Sequence, residues 1–211
     1  MSDRRVCILL SGSGRSLENL LRHIEAKKLN CEINGVIASR RGIRGIEVAR
    51  EAGIPVEVIR RRDYETLESF SDANTKAIEK MEPNLVVMAG YLSFYHLPES
   101  LKGKVINIHP SLLPLFGGEG YYGHHVHKAV LESGMRVTGC TVHFVDNIYD
   151  NGPFVLQLPV PVKPNDTIDD LASRVFETEC RALPQAISWI LNGSARFDSG
   201  QVHFKSDATI W

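Results

Sequence analysis

Val6-Cys7-Ile8-Leu9-Leu10-Ser11-Gly12-Ser13-Gly14-Arg15-Ser16 decides how the chain is read. The first five residues are apolar without alternation, the pattern of a strand buried on both faces, as in a parallel sheet. Serines and glycines then break the run. Ser16 is placed to cap a helix whose apolar positions, Leu17, Leu20, Leu21 and Ile24, follow helical spacing. Strand, glycine loop and helix in that order open a βαβ unit.

The same alternation continues outward. Ile33 to Ala38 reads as a second strand, followed by a helix near Ile46 to Ala52 that stops at Gly53. Pro55 to Ile59 reads as a third strand, and a polar helix runs from about Tyr64 to Met81. Leu85 to Gly90 and Val105 to His109 supply two more strands. The pattern predicts an α/β fold with a mostly parallel, twisted sheet and helices on both faces. Val137 to Val145 and Phe154 to Val162 are β-rich and joined by an Asp/Asn/Gly segment, so antiparallel strands are expected toward the C-terminal half. Asp166 to Leu191 reads as a long helical region with Leu171, Val175, Ala186, Ile187 and Ile190 on its apolar face. Pro184 is expected to kink or break it. The tail from Asn192 to Trp211 carries no clear pattern.

Bulk properties exclude several classes. The 211 residues suit one domain, divided by its motifs into a phosphate- or nucleotide-binding half, 1–105, and a catalytic half, 106–211. A formal net charge of −1 argues against nucleic-acid binding through a broadly basic surface. The four cysteines, Cys7, Cys31, Cys140 and Cys180, show no C-x-x-C pair and no zinc-like spacing. They read as buried, reduced thiols, which implies a cytoplasmic setting. The apolar run after Met-Ser-Asp-Arg-Arg is too short for a signal peptide or a membrane span.

Ligands of open α/β sheets bind beyond the carboxyl ends of the strands. The informative residues are therefore Ser11 to Ser16, Gly90 to Tyr95 and Asn107 to His109. The first segment suits a phosphate, because a glycine loop entering a helix presents backbone N–H groups. Leu17 stands where the third glycine of a dinucleotide fingerprint belongs, which points away from NAD. A plain strand-to-helix turn is the alternative. In Ile106-Asn107-Ile108-His109-Pro110-Ser111-Leu112-Leu113-Pro114, alternation puts Asn107 and His109 on one side of the strand. An amide and an imidazole at one strand end fit a site; a hydrogen-bonded structural histidine is the competing reading. Asp146 to Pro153 is either a plain turn or the source of a carboxylate for that histidine.

Taken together, Ser-Gly-x-Gly near the N-terminus, Asn107 to Pro114, and His143-Phe144-Val145 followed by Asp150-Asn151-Gly152-Pro153 resemble the phosphoribosylglycinamide formyltransferases that use 10-formyltetrahydrofolate. The resemblance runs from Val6 to about Asn192 and implies the Rossmann-like formyltransferase fold. It implies catalytic roles for Asn107, His109 and Asp150. It assigns Gly14, Arg15 and Ser16 to the ribose phosphate and Glu179 to the glycinamide amine. Leu92, Ser93, Phe94 and Tyr95, with Asn107, would line the folate pocket. The co-substrate would be 10-formyltetrahydrofolate, with no metal, no nucleic acid and no membrane, in a monomer or homodimer. Ser93 stands where some relatives carry arginine, and none stands near Thr66 or Leu67, where some relatives place one. The segment Phe116 to Gly123 is longer than in short-looped relatives.

Acyl transfer to an amine needs no protein nucleophile. It needs donors at a developing oxyanion, which Asn107 and a protonated His109 would supply, and an acid for the departing folate nitrogen, which His109 would relay. Asp150 would orient the imidazole and favour its charged form. Other motifs carry less. His124, His125 and His127 lack a completing carboxylate or cysteine at metal-ligand spacing. Arg60-Arg61-Arg62 reads as a solvated face, with attraction of the folate's glutamate tail as the alternative, and Trp189 and Trp211 as packing residues. Gly117 to Gly123 reads either as a mobile flap over the substrates or as a rigid loop. The rival functions are formyl transfer to a nucleotide sugar or to methionyl-tRNA, formyltetrahydrofolate hydrolysis, and a noncatalytic nucleotide-binding module. The tRNA and hydrolase readings each lead one to expect a further domain, C-terminal or N-terminal, beyond these 211 residues.

Overall fold

The computed structural model describes residues 4–205. Seven strands form a mixed, mainly parallel sheet, and a two-stranded hairpin stands apart from it. The chain divides into two compact units, the first ending at Ile106 and the second beginning at Asn107.

In the first unit, β1 (Arg5–Leu10) lies between β2 (Glu32–Ala38) and β4 (Leu85–Met88), parallel to both, and β3 (Val56–Val58) lies outside β2. Ile8 is level with Val36 on one side and Val87 on the other. All three side chains are fully buried, which is why the strand is apolar from Val6 onward. The helices are α1 (Arg15–Glu25), α2 (Arg44–Glu51) and α3 (Leu67–Met81).

The starts of α1 and α3 differ from expectation for a local reason. Ser16 does not cap α1: the helix has already begun at Arg15, and Gly14 holds the cap position in the left-handed conformation with φ +76. The backbone makes that turn because glycine tolerates it, and no side-chain cap is used. The third helix starts at Leu67 rather than Tyr64, because the Thr66 hydroxyl caps it by accepting from Ser69 N–H at 3.1 Å.

β5 (Val105–His109) carries the chain into the second unit. There β6 (Val137–Phe144) and β7 (Phe154–Pro161) pair antiparallel, with Thr141 level with Gln157 and a register shift between Val142 and His143. A bulge of this kind re-aims a side chain, and here it falls at His143. Helix α4 covers His124–Glu132. Helix α5 (Ile168–Leu191) begins at a reciprocal capping box between Thr167 and Asp170 and packs on β6 and β7. Pro184 does not break it: the helix is continuous through the proline, which is buried with Leu183, Ala186 and Ile187. Burial of that face outweighs the lost backbone hydrogen bond. The tail forms a hairpin of β8 (Ala195–Asp198) and β9 (Gln201–Phe204). Trp189 is buried and meets the Phe204 ring edge-on at 5.9 Å; Trp211 lies outside the described residues. No described helix is long and apolar enough to cross a membrane.

Candidate active site

The end of β5 brings Asn107 and His109 to one side of the strand, and the loop after β6 delivers Asp150 to both. His109 Nδ1 is 3.4 Å from Asp150 Oδ2, and Asn107 Nδ2 is 3.4 Å from Asp150 Oδ1. His109 is 4% exposed, so its polar contacts are made out of bulk water. A fourth side chain completes the group. His143 Nε2 lies 3.1 Å from Asn107 Nδ2 and 3.6 Å from Asp150 Oδ1. Its Nδ1 faces the Phe144 carbonyl at 2.9 Å. The contact with Nε2 helps to fix which way the Asn107 amide faces. The sequence reading gave His143 no role. Its signal was alternation along β6, but the bulge before it defeats a simple period-two count.

Asp150 is held tightly. Its Oδ2 accepts the Gly118 N–H at 2.9 Å, and its backbone takes a left-handed φ of +52. A side chain at Gly152 would run into the Phe144 carbonyl, and one at Gly117 into Leu113. The clash at Gly152 is with backbone, so that position needs glycine for the chain to turn this closely; at Gly117 it is with the end of a flexible side chain. The loop after β5 is pinned from below by Thr141. The Thr141 hydroxyl donates to the Ser111 carbonyl at 2.7 Å and accepts from Leu113 N–H at 3.0 Å. The Gln157 amide donates to the Leu113 carbonyl at 2.9 Å. The same loop then places the Phe116 carbonyl 2.8 Å from His109 Nε2.

These contacts set the proton balance. Burial pulls the His109 imidazole below its ordinary pKa, while Asp150 and the Phe116 carbonyl oppose the shift. This corrects the expectation of a raised value: desolvation of a ring 4% exposed outweighs the carboxylate. Both ring nitrogens nevertheless face acceptors, so protonation lets both donate at once. Burial pushes the Asp150 carboxyl up, yet His143, His109 and the Gly118 N–H together hold it below the usual range. The group is thus a carboxylate beside an imidazole that rests neutral and gains two favourable contacts on taking a proton.

In the first unit, Gly14, Arg15 and Ser16 open α1, and Glu18 N–H is bonded back to the Gly14 carbonyl at 2.9 Å. Leu92, Ser93, Phe94 and Tyr95 follow β4. Their start is tied down by Ser11, whose hydroxyl accepts the Leu92 N–H at 2.8 Å and meets the Ser39 hydroxyl at 2.6 Å. Leu92 is 43% exposed and Tyr95 3%, so the tyrosine ring belongs to the core. In the second unit, Glu179 lies on α5 near Cys140, whose thiol is pushed up to about 12 by burial and then by that carboxylate. The three clustered histidines have different surroundings. His124 is exposed beside Asp169 at 3.6 Å, His125 meets the Tyr122 ring edge-on at 4.9 Å, and His127 is buried with Nδ1 unpartnered.

Comparisons with known proteins agree with this arrangement. Residues 4–187 match the family described as formyl transferase. The chain is 38% identical over 204 residues to a trifunctional purine biosynthetic protein adenosine-3 of Gallus gallus, covering 95% of this chain but only 20% of that protein. It spans about a fifth of that relative's length. It is 36% identical over 178 residues to a chloroplastic phosphoribosylglycinamide formyltransferase of Vigna unguiculata, covering 83% of this chain and 57% of the relative. Its fold superposes on a crystal structure of glycinamide ribonucleotide transformylase 1 from Symbiobacterium toebii with a TM-score of 0.88 at 32% identity, over 97% of this chain and 95% of that one. Fold, motifs and similarity along nearly the whole length converge, and the chain belongs to the formyl transferase family.

Proposed function

We propose that this chain transfers the formyl group of 10-formyltetrahydrofolate to the amine of phosphoribosylglycinamide, and that Asn107, His109 and Asp150 are its catalytic residues. The observation that carries the reading is the cluster itself. One amide, one buried imidazole and one carboxylate lie within 3.4 Å contacts at a strand end. No serine or cysteine nucleophile is required, because the substrate amine attacks. Asn107 turns an amide N–H toward the oxygen on which charge develops, its longer contact to Asp150 giving way while His143 keeps the amide aligned. His109 takes a proton from the attacking amine and returns it toward the leaving folate nitrogen. A lowered resting pKa suits that role, since the imidazole starts as a base. Asp150 stabilises the imidazolium once formed. The Phe116 carbonyl must leave Nε2 during this cycle, which makes the following glycine segment, Gly117 to Gly123, a flap that opens and reseals.

Gly14, Arg15 and Ser16 take the ribose phosphate at the start of α1, where backbone N–H groups and the helix dipole favour an anion. Leu92 to Tyr95 line the folate pocket, and Glu179 takes the glycinamide amine. The setting is cytoplasmic: burial pushes Cys7 to about 12 and Cys31 to about 11, out of reach of oxidation as thiolates. The test is to supply the protein with 10-formyltetrahydrofolate and phosphoribosylglycinamide and follow both the deformylated folate and the formylated amine. Stoichiometric transfer is expected. Folate deformylation that proceeds equally without the amine would make the chain a hydrolase and end the proposal.

A further inference from the structure

Beside the α2 helix of the first unit, a cleft of about 330 Å³ is lined by Arg41, Gly42, Ile43, Ile46, Glu47, Arg50 and Val58. We propose that this cleft is a second ligand site, for a nucleoside phosphate whose ring lies on Ile43, Ile46 and Val58 while Arg41 and Arg50 hold the phosphate. No residue of the Gly14–Ser16 loop or of the histidine cluster lines it.

The charge balance is the first observation. The carboxylates near the cleft are already matched by other bases. Arg44 takes Glu47 at 3.2 Å and Glu51 at 2.8 Å, Lys80 takes Glu57 at 3.3 Å, and Arg60 grips Asp63 at 2.6 Å. Arg41 and Arg50 have no hydrogen-bonding or ion-pair partner among the described residues. Two guanidinium groups thus line one cleft without a hydrogen-bonded carboxylate, Arg41 feeling only the charge of Asp63, which Arg60 already grips. Guanidinium forks match phosphate and carboxylate oxygens in pairs.

The shape of the cleft is the second. Its floor is aliphatic, and Val58, on the short β3 strand, is 37% exposed. A volume of about 330 Å³ sits at the small end of the range for small-molecule pockets. That is room for a ring and its phosphate. Gly42 helps to form the rim with a left-handed φ of +64 and open space where a side chain would stand.

The experiment follows the methyl resonances of Ile43, Ile46 and Val58 while the protein is titrated with ATP, AMP, adenosine, pyrophosphate or tri-γ-glutamate. ATP is expected to move these methyls, with affinity falling as salt is raised. Arg41→Ala and Arg50→Ala should each weaken ATP on the order of tenfold, since each removes a charge-assisted fork. Both side chains are exposed, so the variants should keep the wild-type melting temperature. Formyl transfer at saturating substrate should also be unchanged, which separates failure here from failure of the catalytic reading. Shifts confined to Gly14–Ser16, or equal ATP affinity in the variants, would overturn the site. Pyrophosphate or tri-γ-glutamate binding as tightly as ATP would overturn the nucleoside assignment.

Discussion

The loop at Gly14–Ser16 and the cluster around His109, both proposed to meet ligands, are built by different means. The loop offers backbone: a left-handed glycine, a helix start and no side-chain cap. The cluster offers side chains from separate places: Asn107 and His109 on β5, His143 at the bulge of β6, and Asp150 on the loop beyond. A backbone site survives most changes of side chain and fails when the backbone is forced to move. A side-chain cluster behaves in the opposite way, and the members act as a unit.

The largest effect should come from the cluster. His109→Ala and Asp150→Asn should each lose at least 10³-fold in kcat with a folded protein, and Asn107→Ala on the order of 10²–10³. The His109/Asp150 double variant should be little worse than the His109 variant alone, because groups acting together are not additive. Near-normal turnover in Asp150→Asn would remove it from the machinery. The pH profile of kcat/KM should rise with an acid limb below the ordinary histidine value of about 6.5, because burial lowers the His109 pKa. A limb clearly above that value would show that the carboxylate, not desolvation, dominates.

The second effect belongs to the cluster's buried neighbour. His127 is 4% exposed, and its pKa is lowered from 6.5 to about 4 by burial, then by His124 and His109. A folded-state value below the unfolded one means that the unfolded chain binds the extra proton between them. Stability is therefore full above pH 6.5 and falls as the pH drops toward 4, by about 3 kcal/mol in all. Urea unfolding of His127→Leu should show a flatter acid limb than the wild type. An unchanged acid limb would mean that other groups set it.

How far these two regions could be read from sequence follows from the same contrast. The apolar run of β1 and the glycines behind it are local, so strand, turn and helix were legible in order. The cap was misassigned because serine is the commoner capping residue, and nothing local says that Gly14 fills the position instead. Asn107 and His109 were legible as a same-side pair because two residues on one strand obey its period. His143 was not, since its place depends on a register shift in a hairpin whose partner strand begins ten residues later. The Phe116 carbonyl was beyond reach altogether, because a main-chain acceptor leaves no mark in the choice of side chain. Pro184 misled for a related reason: its cost is local, while the burial that outweighs it is tertiary.

The smaller effects sharpen the contrast within the loop. Adding a methyl at Gly14 asks a left-handed φ of +76 of a residue with a Cβ, and puts that atom 2.6 Å from Gly45 Cα. The neighbour is backbone, so the loop itself must shift. Gly14→Ala should raise KM for the phosphorylated amine on the order of tenfold or more, with kcat much less affected, since strain of this kind costs about 1–3 kcal/mol. Ser16→Ala removes only a hydroxyl from the first turn of α1 and leaves every N–H in place. It should cost less than about 1.5 kcal/mol of binding, the worth of one ordinary hydrogen bond. The comparison is between the two KM values, measured at one salt concentration because phosphate binding is screened. If Ser16→Ala proves the more damaging, the loop binds through its hydroxyl, and the division between a backbone site and a side-chain site does not hold for this protein.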